Sequence, residues 1–397
     1  MSTIKANKLE HISTSNGGIQ LDNAGHVTVD GQQMPTTGPL SNRNILINGD
    51  CRVAQRTTAS QSHSAVGSIY GVDRFYAFAN ATGKVTVQQN QGSVTPPAGF
   101  QNYVGITSSS AYTPTVGNVF SFGQPIEAQN AAQLSWGTAD AKAVTLSFWV
   151  RSSLTGTFGG AFLKQGINRS YLYTYTVNSA NTWEYKTITI PGDTDTSISY
   201  NMSGNGLFGY FIWDYGTGDN GRGTAGTWTS SYKEGVTGTN RLVNTSGATW
   251  YITGIQLEVG EKATPFEHRS YGDELVRCQR YYYEVTSANT NNNVNQQGVI
   301  VAASATTCEY LPISPVPMRT APTVSLTDDI LIVRADDGSG GVAVSLGGQS
   351  FTALPNGNGF SGHCWLNRKS GTGFNVGNTG RMNTGNTAGK LAFTAEL

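Results

Sequence analysis

Aromatic rings recur through residues 210–240, a segment otherwise rich in glycine and polar residues. Trp213 and Tyr215 close its apolar first part, and Trp228 and Tyr232 lie in the glycine-rich second part. Aromatic rings stack on the C–H faces of sugars, while nearby amide, carboxylate and guanidinium groups bind sugar hydroxyls. The segment therefore predicts a carbohydrate-binding surface. The alternative is that Trp213 belongs to a core and the other rings pack the loop down, since aromatic side chains are mostly structural.

A second group of aromatic and basic residues lies towards the C-terminal end. It consists of Phe360, Trp365, Arg368 and Phe374, in a stretch rich in glycine and asparagine. These residue types fit recognition of a carbohydrate and fit packing at an interface between copies of the chain equally well. Both interpretations stay open at the level of the sequence.

Catalytic signatures are scarce. The chain has no Gly-x-Ser-x-Gly and no His-Glu-x-x-His motif. Glycoside cleavage needs two carboxyl groups on either side of the scissile bond, about 5 to 9 Å apart. The acids in or beside the aromatic segment are Glu184, Asp214, Asp219 and Glu234. Since the sequence brings no two of them together, we expect a protein that is not an enzyme and requires no cofactor, with glycan cleavage kept as the rival hypothesis.

The composition narrows the class of partner. Charged residues make up 13% of the chain, and 25 basic residues balance 25 acidic ones. There is thus no basic surface for nucleic acid or for an anionic membrane. No run of about 18 apolar residues is present, so no membrane insertion is expected. The cysteines are far apart and the N-terminus lacks an apolar signal segment, which indicates free thiols in a protein assembled in a cytoplasm.

The elements predicted to position the aromatic residues are almost all strands. Residues 144–150 alternate so that Val144, Leu146, Phe148 and Val150 share one face, and residues 207–213 are apolar on both faces. Short strands separated by Gly, Asn, Pro and Asp turns predict an all-β fold with a central antiparallel jelly-roll sandwich. Residues 44–50 are predicted to form its first strand, ending at an Asn-Gly turn, and residues 250–258 its last.

Two further segments indicate assembly. Near the N-terminus, Ile19 and Leu21 alternate in one tiny strand, and Val27 and Val29 in the next. A segment of about 40 residues cannot bury a core alone, but three copies side by side could. Residues 271–283 predict a short amphipathic helix with an N-terminal cap at Ser270 or Asp273, which must dock on the sandwich or on sister helices.

The junction between sandwich and helix carries a resemblance to a known family. Residues 251–258 end in Gln-Leu-Glu, and residues 278–282 read Cys-Gln-Arg-Tyr-Tyr. This junction, the opening residues 1–29 and the segments 44–50, 72–75, 146–150 and 250–258 resemble bacteriophage tail-fibre proteins, particularly short fibres of marine and cyanobacterial phages. The jelly roll of that family is similar to carbohydrate-binding modules.

The resemblance implies a homotrimeric tail fibre of the virion with four parts. These are an N-terminal β attachment segment (1–41) that binds a phage tail or baseplate protein, a jelly roll (42–270), a short helix and connector (271–290), and a C-terminal β tip (291–397). Its function would be adsorption to a host-surface polysaccharide or lipopolysaccharide. The rival hypotheses are a tailspike-like depolymerase or glycosidase, and a purely structural baseplate or collar fibre.

The similarity to carbohydrate-binding modules also implies a metal position. Such jelly rolls often hold calcium where the first and last strands meet, and Asn48, Asp50 and Glu258 match that place by pattern. Oxygen ligands suit Ca²⁺. A structural calcium ion is therefore one expectation, and acids that cap turns are the alternative.

Overall fold

The computed structural model describes most of the chain, as two units. The described residues are 8–9, 18–21, 27–29, 32–33, 41–164, 169–200, 207–286, 299–302, 307–311, 315–320, 322–327, 330–334, 343–345, 351–353, 364–367, 379–384 and 390–396. The units are Met1–Arg269 and Ser270–Leu397. In these parts of the chain no helix is long and apolar enough to cross a membrane.

A small antiparallel sheet forms near the N-terminus. Its strands, in spatial order, are β1 (Lys8–Leu9), β2 (Ile19–Leu21), β3 (Val27–Val29) and β4 (Gln32–Gln33). Ile19 pairs with Val29 and Leu21 with Val27, which confirms the two strands expected from the alternation. Ile19 is 45% exposed, so at least this apolar residue of the sheet is not covered within one chain.

The rest of the first unit is a β-sandwich. Its strands are β5 (Gln61–Ser62), β6 (Gly67–Val72), β7 (Phe75–Ala79), β8 (Val85–Gln89), β9 (Val104–Ser108), β10 (Phe120–Glu127), β11 (Val144–Ser152), β12 (Gly156–Lys164), β13 (Arg169–Val177), β14 (Glu184–Ile190), β15 (Leu207–Asp214), β16 (Arg222–Gly223), β17 (Trp228–Thr229), β18 (Gly235–Val236) and β19 (Thr249–Val259). One sheet has the order β17-β13-β12-β15-β10-β7-β6 and the other β14-β11-β19-β9-β8-β5. Both are antiparallel, which confirms the all-β sandwich; β16 and β18 form a short parallel pair.

Short helical turns interrupt these strands. They are α1 (Ala128–Ala131) and the 3₁₀ turns Gln91–Ser93, Ala132–Leu134, Asp219–Gly221 and Leu242–Asn244. None is long enough to change the fold class.

The core lies between the two sheets and follows the predicted alternation. Val144, Leu146, Phe148 and Val150 are all fully buried in it. Strand β15 is internal in the seven-stranded sheet and buries residues on both faces, as its apolar sequence predicts. Phe208, Phe211 and Trp213 enter the main core, whereas Ile212 packs in a second cluster on the outer face.

The segment predicted as the first strand is not a regular strand. Residues 43–49 run along β19, but side chains replace much of the backbone ladder. The Asn44 amide donates to the Ile255 carbonyl (2.8 Å) and accepts from the Leu257 N–H (3.0 Å). The Gln124 amide exchanges two hydrogen bonds with Ile47. The Asn-Gly turn itself is present, since the Cys51 N–H donates to the Asn48 carbonyl.

The second unit begins with α2 (Tyr271–Gln279), which Ser270 caps by accepting from the Asp273 N–H at 3.1 Å. Strand β20 (Tyr282–Thr286) follows at once, so the helix is shorter than predicted. The β-favouring tyrosines after Arg280 pair with the last strand of the chain instead of extending the helix: Tyr282 faces Thr394 and Tyr283 faces Phe393.

The remaining strands of this unit form two antiparallel sheets. The strands are β21 (Val299–Ala302), β22 (Thr307–Leu311), β23 (Thr323–Thr327), β24 (Ile330–Arg334), β25 (Ala343–Ser345), β26 (Phe351–Ala353), β27 (Cys364–Asn367), β28 (Thr379–Thr384) and β29 (Lys390–Thr394). One sheet has the order β20-β29-β23 and the other β25-β24-β28-β21-β22-β27-β26. Residues 355–388, predicted as loop, contain two strands of the second sheet, β27 and β28.

Candidate functional site

A long loop, residues 215–248, covers part of the outer face of the seven-stranded sheet. Val236 of this loop packs on Ala161, Leu172 and Ile212, which are the outward-facing side chains of β12, β13 and β15. Ser170 adds a hydrogen bond to the Ser231 carbonyl at 2.6 Å. The loop therefore packs on the outward-facing side chains of β12, β13 and β15.

A buried ion pair holds the loop in place. Arg222 contacts Asp214 with Nη2 and Oδ2 2.6 Å apart, and the side chains of both are almost completely buried. The other guanidinium nitrogens donate to the carbonyls of Thr217 and Val236, and Asp214 accepts from the Gly216 and Thr217 N–H groups. Burial raises the pKa of Asp214, and the Arg222 charge opposes that rise. The pair is thus a structural anchor rather than an accessible acid.

Tyrosine side chains from separate parts of the chain lie close together on this face, beside the covering loop. We call Tyr70, Tyr76, Tyr210, Tyr232 and Glu234 the tyrosine surface. Tyr76 on β7 and Tyr210 on β15 stand on either side of β10, with ring centroids 6.4 Å apart and ring planes at 89°. Tyr232 in the loop is 40% exposed, and the other three rings are half-buried.

A glycine lies between the two strands that carry Tyr76 and Tyr210. Gly123 of β10 pairs with Tyr76 on one side and with Ile212 on the other. A Cβ at this position would lie 2.6 Å from Ile212 Cγ2 and 2.4 Å from the Phe211 carbonyl oxygen. Glycine at this position therefore leaves room for the Ile212 side chain and the β15 backbone to lie close against β10.

The carboxyl group of Glu234 is unusual for its surroundings. Burial raises its pKa to about 7, the nearby Asp214 charge adds to the rise, and hydrogen bonds from Ser121 and Tyr232 oppose it. Its Oε2 is buried and has no hydrogen-bond partner. Burial, with Glu234 as the next cause, also raises the pKa values of Tyr76 and Tyr232. At neutral pH the surface therefore carries hydroxyl groups and a carboxyl group that is about half protonated.

The positions of the first predicted aromatic group divide it. Trp213 is 1% and Tyr215 2% exposed, inside the main core, so neither has a ring face for a sugar. The Tyr215 hydroxyl donates to the Phe78 carbonyl at 2.7 Å. For these two residues the alternative interpretation, core packing, describes the structure. Their parity along β15 explains this: they follow the inward Phe211, whereas Tyr210 points outward.

Trp228 and Tyr232 come from one loop but have different surroundings. The Trp228 ring contacts Trp136 and Tyr171 at centroid distances of 5.1 and 5.4 Å, and its Nε1–H donates to the Pro191 carbonyl. It fastens the loop to the sheet edge at β13. Tyr232 instead lies on the tyrosine surface, so it is the residue of this group that the structure places at an open aromatic surface.

The second predicted group cannot be compared in the same way. Phe360, Arg368 and Phe374 lie outside the described residues. The backbone of Trp365 belongs to β27 and pairs with Glu309 and Thr352. Carbohydrate recognition by this group stays a prediction.

The side chains expected to bind calcium are engaged with the protein. Asn48 donates to the Val53 and Asp73 carbonyls, and Asp50 forms an ion pair with Arg52. Both Glu258 oxygens accept hydrogen bonds, from the side chains or backbone of residues 256 and 264. Among the described residues no group of three or more His, Cys, Asp or Glu side chains is arranged to hold a metal. The three residues therefore do not form the expected ligand set.

The acids considered for catalysis are equally occupied. Glu184 pairs with Lys186, and the exposed Asp219 pairs with Arg241. Asp214 is buried against Arg222 of the loop, and Glu234, within the loop, is 9% exposed. These four acids thus do not present a pair of carboxyl groups on either side of an open cleft.

Three of the tyrosines were not singled out from the sequence. Tyr70, Tyr76 and Tyr210 lie in strands, next to residues that enter the core, such as Phe75 and Phe211. For Tyr76 and Tyr210 the available signal was their parity, because each directly adjoins a core residue of its own strand; Tyr70 lies two positions from Val72, so parity gives no signal there. Because both faces of these strands are apolar, the pattern does not separate an exposed face from a covered one.

Comparison with known proteins shows distant likeness only. No protein-family model and no curated protein matches the chain. Among solved structures, the enzymatically active domain of tailspike protein 4 from bacteriophage CBA120 is 15% identical with a TM-score of 0.29, over 55% of this chain and 21% of that one. A putative sugar binding protein from Bacteroides thetaiotaomicron is 13% identical with a TM-score of 0.32, over 55% and 100%. The family 11 carbohydrate-binding module from Clostridium thermocellum is 14% identical with a TM-score of 0.25, over 52% and 100%.

Proposed function

We propose that this chain is a glycan-binding protein without enzymatic activity and that the tyrosine surface is where its sandwich binds. The supporting observation is that β7, β15 and the covering loop bring Tyr76, Tyr210 and Tyr232 to one open face. Tyrosine combines a ring that stacks on a sugar with a hydroxyl that hydrogen-bonds to it, as binding sites of this kind require.

We further propose that binding serves attachment of a phage to its host. The basis is the sequence resemblance of the N-terminal segment and of the junction after the sandwich to tail fibres. In this proposal the chain forms a homotrimer of the virion, the N-terminal sheet binds a tail or baseplate protein, and the ligand is a host polysaccharide or lipopolysaccharide. Three copies of a weak site would raise the effective affinity without new contacts.

Binding is favoured over cleavage by the state of the acids. Glycosidases need one accessible carboxylate and one accessible acid across a substrate cleft. Asp214 is neutralised by Arg222, and the partnerless oxygen of Glu234 is buried. The surface therefore offers rings and hydroxyls without a pair of carboxyl groups.

The proposal is tested by binding of the full chain to an array of bacterial polysaccharides and lipopolysaccharides. Tyr76→Ala and Tyr232→Ala should each weaken binding to the recognised glycan by about tenfold, as loss of a central aromatic contact does. Tyr271→Ala is the matched control, because Tyr271 is an exposed ring (57%) of the other unit.

Unchanged binding in both folded variants would remove the tyrosine surface from the proposal. Release of reducing ends from a recognised polysaccharide would favour the depolymerase hypothesis. Absence of binding to host cells and to every glycan would favour a purely structural fibre.

A further inference from the structure

The outer face of the six-stranded sheet also carries exposed aromatic rings. Trp149 on β11 and Tyr185 on the edge strand β14 form a direct cross-strand pair, with ring centroids 5.4 Å apart. Both point away from the core, since the alternate residues Phe148 and Val150 are buried in it. Tyr185 is 43% exposed. No step of the proposed function uses this pair.

Further rings extend the pair across the sheet. Gly254 lies at a bulge in β19 with φ of +61°, where a Cβ would be 2.7 Å from the Phe100 ring and 3.1 Å from the Trp149 ring. The glycine thus leaves both rings the space that a Cβ would occupy. Phe100 in turn contacts Phe266 at 5.1 Å and His268 at 5.4 Å. We call Tyr185, Trp149, Phe100, Phe266 and His268 the aromatic strip.

The loop that carries Phe100 is held in position. The Phe100 N–H donates to the Pro97 carbonyl at 3.1 Å. Trp183 donates its Nε1–H to the Thr95 carbonyl at 2.9 Å. Two consecutive prolines, at positions 96 and 97, restrict the backbone here. Because the loop is already ordered, little conformational entropy would be lost on binding. The strip is therefore preformed, as ligand sites usually are.

Hydroxyl groups flank the rings, and the neighbouring Lys186 and Arg151 are each held by a partner within the chain. Thr187 and Thr189 follow Tyr185 on the same exposed face of β14. Lys186 pairs with Glu184 at 2.6 Å, and Arg151 donates to the Asn181 carbonyl. The surface therefore matches a ligand with apolar C–H faces, many hydroxyls and no net charge.

We propose that the aromatic strip is a second binding site of the sandwich, for an uncharged polysaccharide chain. Its rings cross three neighbouring strands, a distance of roughly 10 Å from β14 to β19, so it suits an extended chain of sugars rather than one terminal sugar. The two packed sheets separate it from the tyrosine surface by at least about 10 Å. One sandwich then holds two glycan segments on opposite faces, and the strip functions whether or not the tyrosine surface binds.

Affinity gel electrophoresis of the full chain in dextran, mannan and mixed-linkage β-glucan tests this proposal. At least one of these neutral polysaccharides should retard the protein. Trp149→Ala and Tyr185→Ala should each raise the dissociation constant from it by about tenfold or more, while Tyr271→Ala leaves it unchanged. Tyr185→Ala remains informative if Trp149→Ala fails to fold, because Tyr185 is exposed and on an edge strand.

Tryptophan fluorescence separates the two sites, because the tyrosine surface contains no tryptophan. The retarding polysaccharide should change the emission of the protein, and Trp149→Phe should remove most of that change while retaining retardation. Tyr76→Ala should leave the emission change intact even if it abolishes binding of another glycan, so failure of one site does not imply failure of the other.

Three outcomes would overturn the proposal. They are no retardation by any of the polysaccharides, unchanged retardation of folded Trp149→Ala and Tyr185→Ala, and dissociation of an oligomer by these substitutions in light scattering. The last result would make the strip an interface between protein chains.

Discussion

The two outer faces of the sandwich both carry aromatic rings, but different elements hold the rings in place. On the seven-stranded sheet the tyrosines lie beside a loop that the buried pair Asp214–Arg222 fastens. On the six-stranded sheet the rings lie mainly on the strands themselves and on a proline-containing loop, with Gly254 between them. The first surface thus depends on how a loop docks, and the second depends on the sheet and on one glycine.

The carboxyl groups beside these two faces, Glu234 and Glu184, have differently shifted pKa values. Burial raises the pKa of Glu234 to about 7. Partial burial acts in the same direction on Glu184, but hydrogen bonds from Lys186 and from backbone N–H groups outweigh it and lower its pKa below the ordinary value. The pKa values of two carboxyl groups on one domain are therefore shifted in opposite directions. Glu184 has a neighbouring cation, Lys186, whereas burial dominates at Glu234.

Arg222→Ala should cause the largest loss of stability and should separate the two faces most clearly. It leaves the Asp214 carboxylate buried without its cation, which typically costs about 3–5 kcal/mol of unfolding free energy. Binding at the tyrosine surface should be lost, whereas the fluorescence response of the aromatic strip persists in the folded fraction. Urea unfolding measures the loss. Arg241→Ala is the control, because its partner Asp219 is exposed and such pairs contribute about 1 kcal/mol or less; equal losses would contradict an anchoring role for Arg222.

A pH effect of nearly that size is expected from Glu234. Its folded-state pKa of about 7 lies above the ordinary 4.5, so the folded protein retains a proton that the unfolded chain releases between these values. The free energy of unfolding should then fall as pH rises from about 4.5 to about 7, by on the order of 3 kcal/mol from this group.

Comparison of wild type with Glu234→Gln across that range measures this contribution. The glutamine variant should lack this part of the pH dependence. Glu184→Gln should leave the profile in this range nearly unchanged, because the lowered pKa of Glu184 places its contribution to the pH dependence below about 4.5, where stability falls as the pH falls. Identical pH profiles for wild type and Glu234→Gln would show that the carboxyl group is solvated.

A smaller effect is expected from Gly254→Ala. The added Cβ would meet the Phe100 and Trp149 rings, and the alanine would have to adopt a positive φ. Overpacking of this kind costs about 1–3 kcal/mol beyond the backbone strain. Gly247→Ala isolates the strain, since Gly247 has φ of +75° and an added Cβ there would meet no atom within 4 Å. Binding at the strip should weaken in the first variant only, and equal behaviour of the two would show that the rings have room to move apart.

The smallest effects on stability are expected from the exposed tyrosines. Tyr232→Ala and Tyr185→Ala should each change the free energy of unfolding by less than about 1 kcal/mol. Each should weaken binding at its own face alone, and the double variant should be additive because the sites share no partners. A binding cycle over the four proteins measures the coupling; coupling well above about 0.5 kcal/mol would mean that the faces are not independent.

Several features of this fold follow from local pattern. Alternation in β11 predicted which side chains are buried, because a strand in a sandwich has one face against the core. The two short N-terminal strands were likewise predicted from alternation, and the Ser270 cap from the residue type that precedes the helix. By contrast, residues 44–50 read as a strand, since nothing in the sequence shows that Asn44 and Gln124 side chains replace backbone partners from far along the chain.

The sequence by itself determined the class of protein: all-β, with no net formal charge, rich in turns and in aromatic residues. Only the tertiary structure decided which rings are exposed. Tyr210 and Phe211 are adjacent and both aromatic, yet one lies on an open face and the other in the core. The choice depends on strand pairing and on where the loop of residues 215–248 docks, and both are set by contacts between residues distant in sequence. Apolar patterning on both faces of a strand cannot encode that distinction.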